Sequence, residues 1–328
     1  MPRLRLSFAC ADYDRTRALV DGRVRPEGIE LVCLGLPVEE TFFRMMRHQE
    51  FDVAELSLSS YVLSCLGPER PFVGIPVFPS RSFRHGSVYV NAHAGVRTPA
   101  DLRGRIVGVP EWQLTALVWI RGLLAEEYDL PIDAVEYRTG GLEEPGRVEK
   151  AAVSAPDGVR IEPIAPHRTL ARLLADGELA AIYSPRAPST LGGGDVVRLF
   201  DDLREREREY FERTRIFPIM HVIAIRRTVY ERDPWVARSL LSAFEAAKER
   251  AVSGLCETAA LTVMLPWLTA ELDATRELMG DDWWSYGLEP NRHVLEKFLL
   301  YATQQGIATG DLAPEDLFVP EALESYRV

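Results

Sequence analysis

The first 66 residues alternate between strand-like and helix-like patterns, and this order constrains the fold more than any other feature of the chain. Leu4–Phe8 alternates apolar and polar side chains, as a strand with one covered face does. Ala9–Arg15 follow as a polar loop, and TRALVDG (16–22) has helical character. IELVCLG (29–35) is a second strand-like run, and in PVEETFFRMMRHQ (37–49) Phe42, Phe43 and Met46 recur at helical spacing opposite a polar face. FDVAELSLSSYVL (51–63) begins as a short strand, DVAEL, and passes into a serine-rich turn where Ser57 or Ser59 could cap the next helix. Strand, loop, helix, strand, helix is the order of a doubly wound α/β sheet, whose ligands bind beyond the carboxyl ends of the strands.

The proline-punctuated RPFVGIPVFPS (70–80) leads into SRSFRHGSVYVN (80–91), which places Arg81, Arg84 and His85 within five positions and then runs into the strand-like SVYV. In a chain of net charge −11, a local basic cluster beside a strand is a place to hold a small anion. A change of unit follows at 91–104. GRIVGVPEWQLTALVWIRGLLAEEYDL (104–130) reads as a strand, a turn and a strongly apolar helix, and such a turn aims free backbone N–H groups and the helix dipole at whatever lies in front of it. VEYRTGG (135–141) and VRIEPI (159–164) read as strands joined by a polar connection, and GELAAIYSPRAP (177–188) as a buried strand that delivers Tyr183, Ser184 and Arg186 to a loop. The charged REREREYFERTR (204–215) is expected to be a solvated helix. IFPIMHVIAIRR (216–227) reads as a second long strand, expected to pair with SVYV, and the remainder is helical. Two crossings, near 86–92 and 216–222, predict a hinged pair of α/β lobes with a cleft between them. Residues 1–90 plus 220–328 would form the first lobe and 91–219 the second.

Composition narrows the partners. With 47% hydrophobic and 27% charged residues the chain is of the globular class, and its acidic balance argues against nucleic acid or an anionic membrane as a partner. The amino terminus has no apolar run of about 7–15 residues followed by a small-residue cleavage site, and no run approaches the roughly 20 residues of a membrane span, so cytoplasmic residence is expected. Cys10, Cys33, Cys65 and Cys256 show no CxxC or finger spacing and read as buried free thiols. LGGGD (191–195) lacks the Lys-Ser/Thr of a phosphate loop, and no HxH or HExxH spacing points to a metal. Neither a metal nor another cofactor is expected.

Each candidate binding residue carries a plain structural alternative. Arg81 and Arg84 either grip an anion or pair with one of many acidic residues. His85 either faces a ligand or caps the strand, and His221, inside FPIMHVIAI, is either a satisfied core histidine or a functional one. Glu55 follows a buried-looking DVA, so its carboxylate needs a partner, structural or catalytic. Ser57 and Ser59 can cap a helix and hold a carboxylate at once. Glu111, Trp112, Gln113 and Thr115 begin the apolar helix of the second lobe, with Trp112 as a stacking surface or a packing residue. Tyr13 and Asp14 sit in the exit loop of the first strand, suited to ligand hydroxyls or to a turn. Trp283 and Trp284 read as core or interface anchors.

Six segments then show a likeness in chain order: CADYDRTRAL (10–19), FDVAELSLSSYVL (51–63), IPVFPSRSFRHGSVYVN (75–91), VGVPEWQLTALVWIRGLL (107–124), IFPIMHVIAIRRTVYERDPWVA (216–237) and YGLEPNRHVLEKFL (286–299). Together they resemble the 4,5-dihydroxyphthalate decarboxylase-like proteins, which share the fold of type II periplasmic solute-binding proteins. The stretch 138–165 carries no matching motif. The resemblance implies a two-lobed type II periplasmic-binding-protein-like α/β fold with two hinge crossings and a helical C-terminal tail. It also implies nonoxidative loss of one carboxylate from a 4,5-dihydroxyphthalate-type ring, giving 3,4-dihydroxybenzoate and carbon dioxide. Two adjacent carboxylates would call for a bidentate guanidinium, with Arg81, Arg84 and Arg186 as candidates. An acid near the ring carbon and a base near the para hydroxyl are roles open to His85, His221, Glu55 or Glu111. The expected partner is a small aromatic carboxylate, and association into a homo-oligomer is left open. A noncatalytic binding protein for a small carboxylate is the alternative, because one fold serves both kinds of protein.

Overall fold

The structure, a computed structural model, describes residues 3–147, 155–308 and 310–323. They divide into two compact units, Met1–Arg81 with Ile219–Leu295 and Leu312–Val328, and Ser82–Pro218 with Glu296–Asp311.

The first unit is a five-stranded mixed sheet. β1 (Leu4–Cys10) leads to α1 (Asp14–Val20), β2 (Ile29–Gly35), α2 (Val38–His48), β3 (Val53–Ser57), α3 (Leu58–Leu66) and β4 (Phe72–Arg81). In the second unit, β5 (Val88–Asn91), β6 (Ile106–Val109), α4 (Thr115–Tyr128), β7 (Glu136–Thr139), β8 (Arg160–Pro163), α5 (Leu170–Ala175), β9 (Ala181–Tyr183), β10 (Val196–Arg198) and α6 (Leu203–Thr214) follow. The chain then returns through β11 (Ile219–Arg226), α7 (Arg227–Arg232), α8 (Trp235–Leu255), α9 (Leu268–Met279) and α10 (Arg292–Gln304).

Strand order in the first sheet is β2-β1-β3-β11-β4, with β1 parallel to β2 and β3, and β11 antiparallel to both β3 and β4. β3 is buried at all five positions and lies in the middle, as its apolar character requires. β4 carries Pro76 and Pro79 and forms the edge, the one place in a sheet where a missing N–H costs no ladder bond, and its register with β11 shifts between Ile219 and Ile223. Asp52 accepts from the Ser7 N–H and hydroxyl at 2.8 Å each and pairs with Arg226 at 2.6 Å, tying β1, β3 and β11 together at one end.

The second sheet has six strands in the order β10-β5-β9-β6-β7-β8. β5 pairs antiparallel with β9 and β10, and β6, β7 and β8 run parallel. The expected pairing of 216–227 with SVYV is therefore replaced: β11 is enclosed between β3 and β4, and β5 belongs to the other sheet. The apolar runs alone could not say which of two sheets each strand completes. The same pairing moves residues 82–90 from the lobe in which the sequence placed them into the second unit. α10 also departs from the two-crossing picture, since its residues beyond Leu295 group with the second unit. Tyr210 and Phe211 bury one side of α6, so only its remaining faces match the solvated helix expected there. The polar connection between β7 and β8 falls partly on 148–154, outside the described residues.

α4 is buried along Thr115–Leu124 and crosses the second half of α10 at Gly122, where a Cβ would fall inside the Tyr301 ring. No helix among the described residues is long and apolar enough to cross a membrane. Gly122→Val is expected to lower unfolding free energy by about 2–3 kcal/mol through overpacking. Urea unfolding followed by tryptophan fluorescence measures this, and an unchanged midpoint would contradict the close approach.

Candidate active site

Four polar groups converge on the Glu55 carboxylate in the first unit. Glu55 is fully buried in β3, and Ile223 of β11 is its register partner. Its Oε2 accepts from the Ala11 N–H at 3.1 Å and from the Cys10 thiol at 3.4 Å, both at the carboxyl end of β1. Its Oε1 accepts from the Tyr13 hydroxyl at 2.7 Å and lies 2.5 Å from His221 Nδ1. Burial pushes the Glu55 carboxyl up, but His221, the Tyr13 hydroxyl and the Ala11 N–H outweigh it and hold the group below the usual carboxylate range. An ionised carboxylate can only accept, so Nδ1 carries a proton and Nε2 is the nitrogen available for chemistry. His221 stands on β11 opposite Ser57, is partly exposed, and has the Phe42 ring edge-on at 4.9 Å between centroids. Burial and the neighbouring Glu55 charge push both the Cys10 thiol and the Tyr13 hydroxyl up, so both stay protonated.

Around this centre, Ser57 occupies the N-cap position of α3 without a side-chain cap bond, and Ser59, two residues on, is fully buried. Asp14 is half exposed and paired with Arg15 at 3.1 Å. Arg81 ends β4 and is buried; its Nη2 donates to the Ser285 carbonyl at 2.8 Å and to Asn291 Oδ1, and its guanidinium lies 5.3 Å from the Phe78 ring. Burial lowers its pKa to about 9, which leaves it charged at neutral pH.

The other candidates lie in the second unit. His85, 1% exposed, is packed edge-on against Phe200, Tyr210 and Tyr128 with centroids 5.6, 5.4 and 6.3 Å away, and its Nδ1 has no hydrogen-bond partner among the described residues. Burial, with Arg206 and Arg213 nearby, lowers its pKa to about 4 and keeps the ring neutral. Arg84 is lowered to about 10, again by burial. Glu111 is fully buried and paired with Arg147 at 2.5 Å. Trp112 is covered by protein groups: the Arg121 guanidinium lies 3.7 Å from its ring centre, Tyr137 meets it edge-on at 5.0 Å, and its indole N–H donates to the Gln305 carbonyl at 3.0 Å. Gln113 and Thr115 are buried beside it at the start of α4. Tyr183 ends β9 and Ser184 follows it, both buried, the Tyr183 hydroxyl without a partner among the described residues, while Arg186 is exposed in the following loop. The basic stretch at 81–85 is thus divided, with Arg81 in the first unit and Arg84 and His85 in the second. Among the described residues no group of three or more His, Cys, Asp or Glu side chains is placed to hold a metal ion.

No family model matches the sequence. The 4,5-dihydroxyphthalate decarboxylase of Comamonas testosteroni is 43% identical over 330 residues, covering 100% of both chains. The protein of the same description from Pseudomonas putida is 44% identical over 204 residues, 62% of this chain and 79% of that one. The chain belongs to the 4,5-dihydroxyphthalate decarboxylase family. Among solved structures, the periplasmic sulfonate-binding protein SsuA from Methylobacillus flagellatus superposes with a TM-score of 0.56 at 13% identity, covering 98% of this chain and 93% of that one. The desulfurization enzyme DszB superposes with a TM-score of 0.52 at 16% identity, covering 98% of each chain. The fold of this decarboxylase-family chain is thus the periplasmic-binding-protein-like α/β fold.

In this family member the contacts that organise the Glu55 centre include residues the sequence did not single out. Arg15, between the rings of Tyr13 and Trp284, and Tyr286, whose buried hydroxyl has no partner among the described residues, were hidden because Trp284 and Tyr286 come from a segment some 270 residues downstream of β1. Trp284 acts as the anchor expected of it, its indole N–H donating to the Phe78 carbonyl at 2.9 Å. The sign of the Glu55 shift gives a test for this decarboxylase-family site. A folded-state pKa below the unfolded one contributes stability above the unfolded value, and that stability is lost as pH falls through the folded value. In a carbon-13 NMR titration the Glu55 carboxyl is expected to titrate below the reference 4.5, and in His221→Ala, with burial then dominant, above it. An unmoved titration in the variant would show that His221 does not hold the charge.

Proposed function

We propose that the protein catalyses the nonoxidative decarboxylation of a 4,5-dihydroxyphthalate-type aromatic dicarboxylate, with His221 as the proton donor and Glu55 and Tyr13 holding it in place. The observation that carries this reading is the buried Glu55 carboxylate bound to His221 Nδ1 at 2.5 Å in a chain 43% identical, over its whole length, to a protein named 4,5-dihydroxyphthalate decarboxylase.

The chemistry asks for one proton at one carbon. Each ring carboxylate of the substrate is para to a hydroxyl, so a proton added to the carboxylate-bearing carbon leaves a cation that the para oxygen stabilises, further so if it gives up its own proton. The bond to the carboxylate then breaks, its electron pair restores the aromatic ring, carbon dioxide leaves, and the oxygen recovers its proton. The net change takes up one proton for each carboxylate lost. His221 suits the donor role because Nδ1 is engaged by Glu55, which fixes the ring, and its side chain keeps 17% exposure, which leaves Nε2 for the substrate. The Tyr13 hydroxyl binds the same carboxylate oxygen and restrains it from turning away. The proton donor sits on β11 opposite Ser57 at the carboxyl end of β3, on an element rigid enough to hold a donor to a fraction of an ångström.

A cytoplasmic location, with neither nucleic acid nor membrane as partner, belongs to the same reading and accords with the net charge of −11. Purified protein incubated with 4,5-dihydroxyphthalate is expected to release carbon dioxide and 3,4-dihydroxybenzoate in equal amounts. His221→Ala should lower kcat by about 10²–10⁴-fold, the usual size of a general-acid contribution, with a smaller effect on KM. Tight binding without turnover in the wild type would overturn the enzymatic reading in favour of a binding protein.

A further inference from the structure

We infer that Arg15 is the residue that grips the carboxylate the substrate keeps, and so sets which ring carbon meets the proton donor. This rests on the reading of function above and extends it to a residue outside the basic stretch at 81–85. The guanidinium of Arg15 is sandwiched between two aromatic rings, its carbon 4.1 Å from the centre of the Tyr13 ring and 4.2 Å from that of Trp284. Both rings are themselves fixed, Tyr13 by its 2.7 Å bond to Glu55 and Trp284 by its 2.9 Å bond to the Phe78 carbonyl. Arg15 Nε donates to the Pro79 carbonyl at 2.6 Å, which sets the rotation of the fork. A guanidinium held on both faces and at Nε is preorganised, so little side-chain freedom is lost when its remaining donor binds a carboxylate.

The acid beside it engages Nη1 and leaves Nη2 as the donor toward a ligand. Asp14 touches only Nη1, at 3.1 Å, and its side chain is 49% exposed, so this pair is a solvent-screened neighbour contact rather than a buried neutralisation. The Arg15 side chain itself is 16% exposed, enough for that donor to reach a ligand. Arg81, the arginine that the basic stretch brings forward, instead directs Nη2 at the Ser285 carbonyl and Asn291 Oδ1 and so braces the 285–291 turn. Tyr286, from that turn, places an unpartnered buried hydroxyl within the electrostatic reach of Arg15 and Arg81, a second donor for the same anion.

The connection to the proton donor is short. Arg15 stacks on Tyr13, Tyr13 binds Glu55 Oε1, and the same oxygen binds His221 Nδ1 at 2.5 Å. A ring whose retained carboxylate lies on Arg15 is thereby referred, through one aromatic residue and one carboxylate, to the imidazole that acts on the adjacent carbon. Adjacent carboxylates are the defining feature of a phthalate, and a guanidinium and an imidazole joined in this way would read that adjacency.

The test compares the wild type with Arg15→Lys and Arg15→Met, using three probes: turnover of 4,5-dihydroxyphthalate, inhibition by 3,4-dihydroxybenzoate, which keeps the one carboxylate, and inhibition by catechol, which has none. Arg15→Met should raise KM and the inhibition constant of 3,4-dihydroxybenzoate together by at least about tenfold, the effect of losing one charge-assisted pair. Arg15→Lys, which keeps the charge but not the fork, should fall between. The catechol constant should stay within about twofold in both, showing that the ring's surroundings are intact. Unchanged KM in Arg15→Met overturns the inference, and so does an equal loss for catechol, which would make Arg15 a support for Tyr13 and Trp284 only. If the wild type binds 4,5-dihydroxyphthalate through Arg15 but releases no carbon dioxide, the proposed reaction fails and the carboxylate grip stands.

Discussion

The first unit is organised around a charge that cannot be left alone. A carboxylate fully removed from water needs several hydrogen bonds and an opposite charge to stay ionised, and Glu55 has them from Ala11, Cys10, Tyr13 and His221. The partners come from three parts of the backbone: the last residue of β1, the loop beyond it, which supplies Ala11 and Tyr13, and the strand β11 that enters from the second half of the chain. Removing one member of such a buried pair typically costs about 3–5 kcal/mol, because the other is left uncompensated. The same arrangement places the proton on Nδ1 and fixes the direction of His221, so one interaction serves both the packing of the sheet and the placement of the imidazole proposed as proton donor.

Sheet topology is what brings these groups together. β3 and β11 run antiparallel side by side, so that Ser57 and His221 are register partners, and β1 on the other side of β3 delivers Cys10 and the exit loop that carries Tyr13 and Arg15. Asp52, bonded to Ser7 and Arg226, locks the same three strands at the far end. With both ends of β3 pinned, the relative height of β1 and β11 is determined, and with it the distance from Tyr13 to His221 across the Glu55 carboxylate. Arg15 enters this arrangement as a fixed cation, layered between Tyr13 and Trp284.

The doubly wound beginning of the chain was legible because apolar periodicity and turn residues agree there, and DVAEL could be recognised as a buried strand whose glutamate needed a partner. His221 stood out in FPIMHVIAI for the same reason, an ionisable group in an apolar run. Their pairing with one another is a matter of register between strands some 165 residues apart, which no local pattern encodes. Residues 216–227 read plainly as a strand, but the neighbours of that strand do not, since any apolar eight-residue run satisfies either sheet. Arg15 does not stand out in the sequence because its surroundings, Pro79 and Trp284, are distant along the chain, whereas the arginines of 81–85 stand out by clustering. Clustering proved to be a property of the chain and not of the space around it: Arg81 braces a turn and His85 lies among aromatic rings.

The account depends on Glu55 being ionised and on His221 donating to it through Nδ1. Nitrogen-15 NMR of histidine-labelled protein at neutral pH reads that proton directly. The account predicts a protonated Nδ1 on His221 whose signal moves when Glu55 is replaced by Gln, with the other histidines unmoved. A His221 with its lone pair on Nδ1 would require Glu55 to be the donor and therefore neutral, and would contradict it.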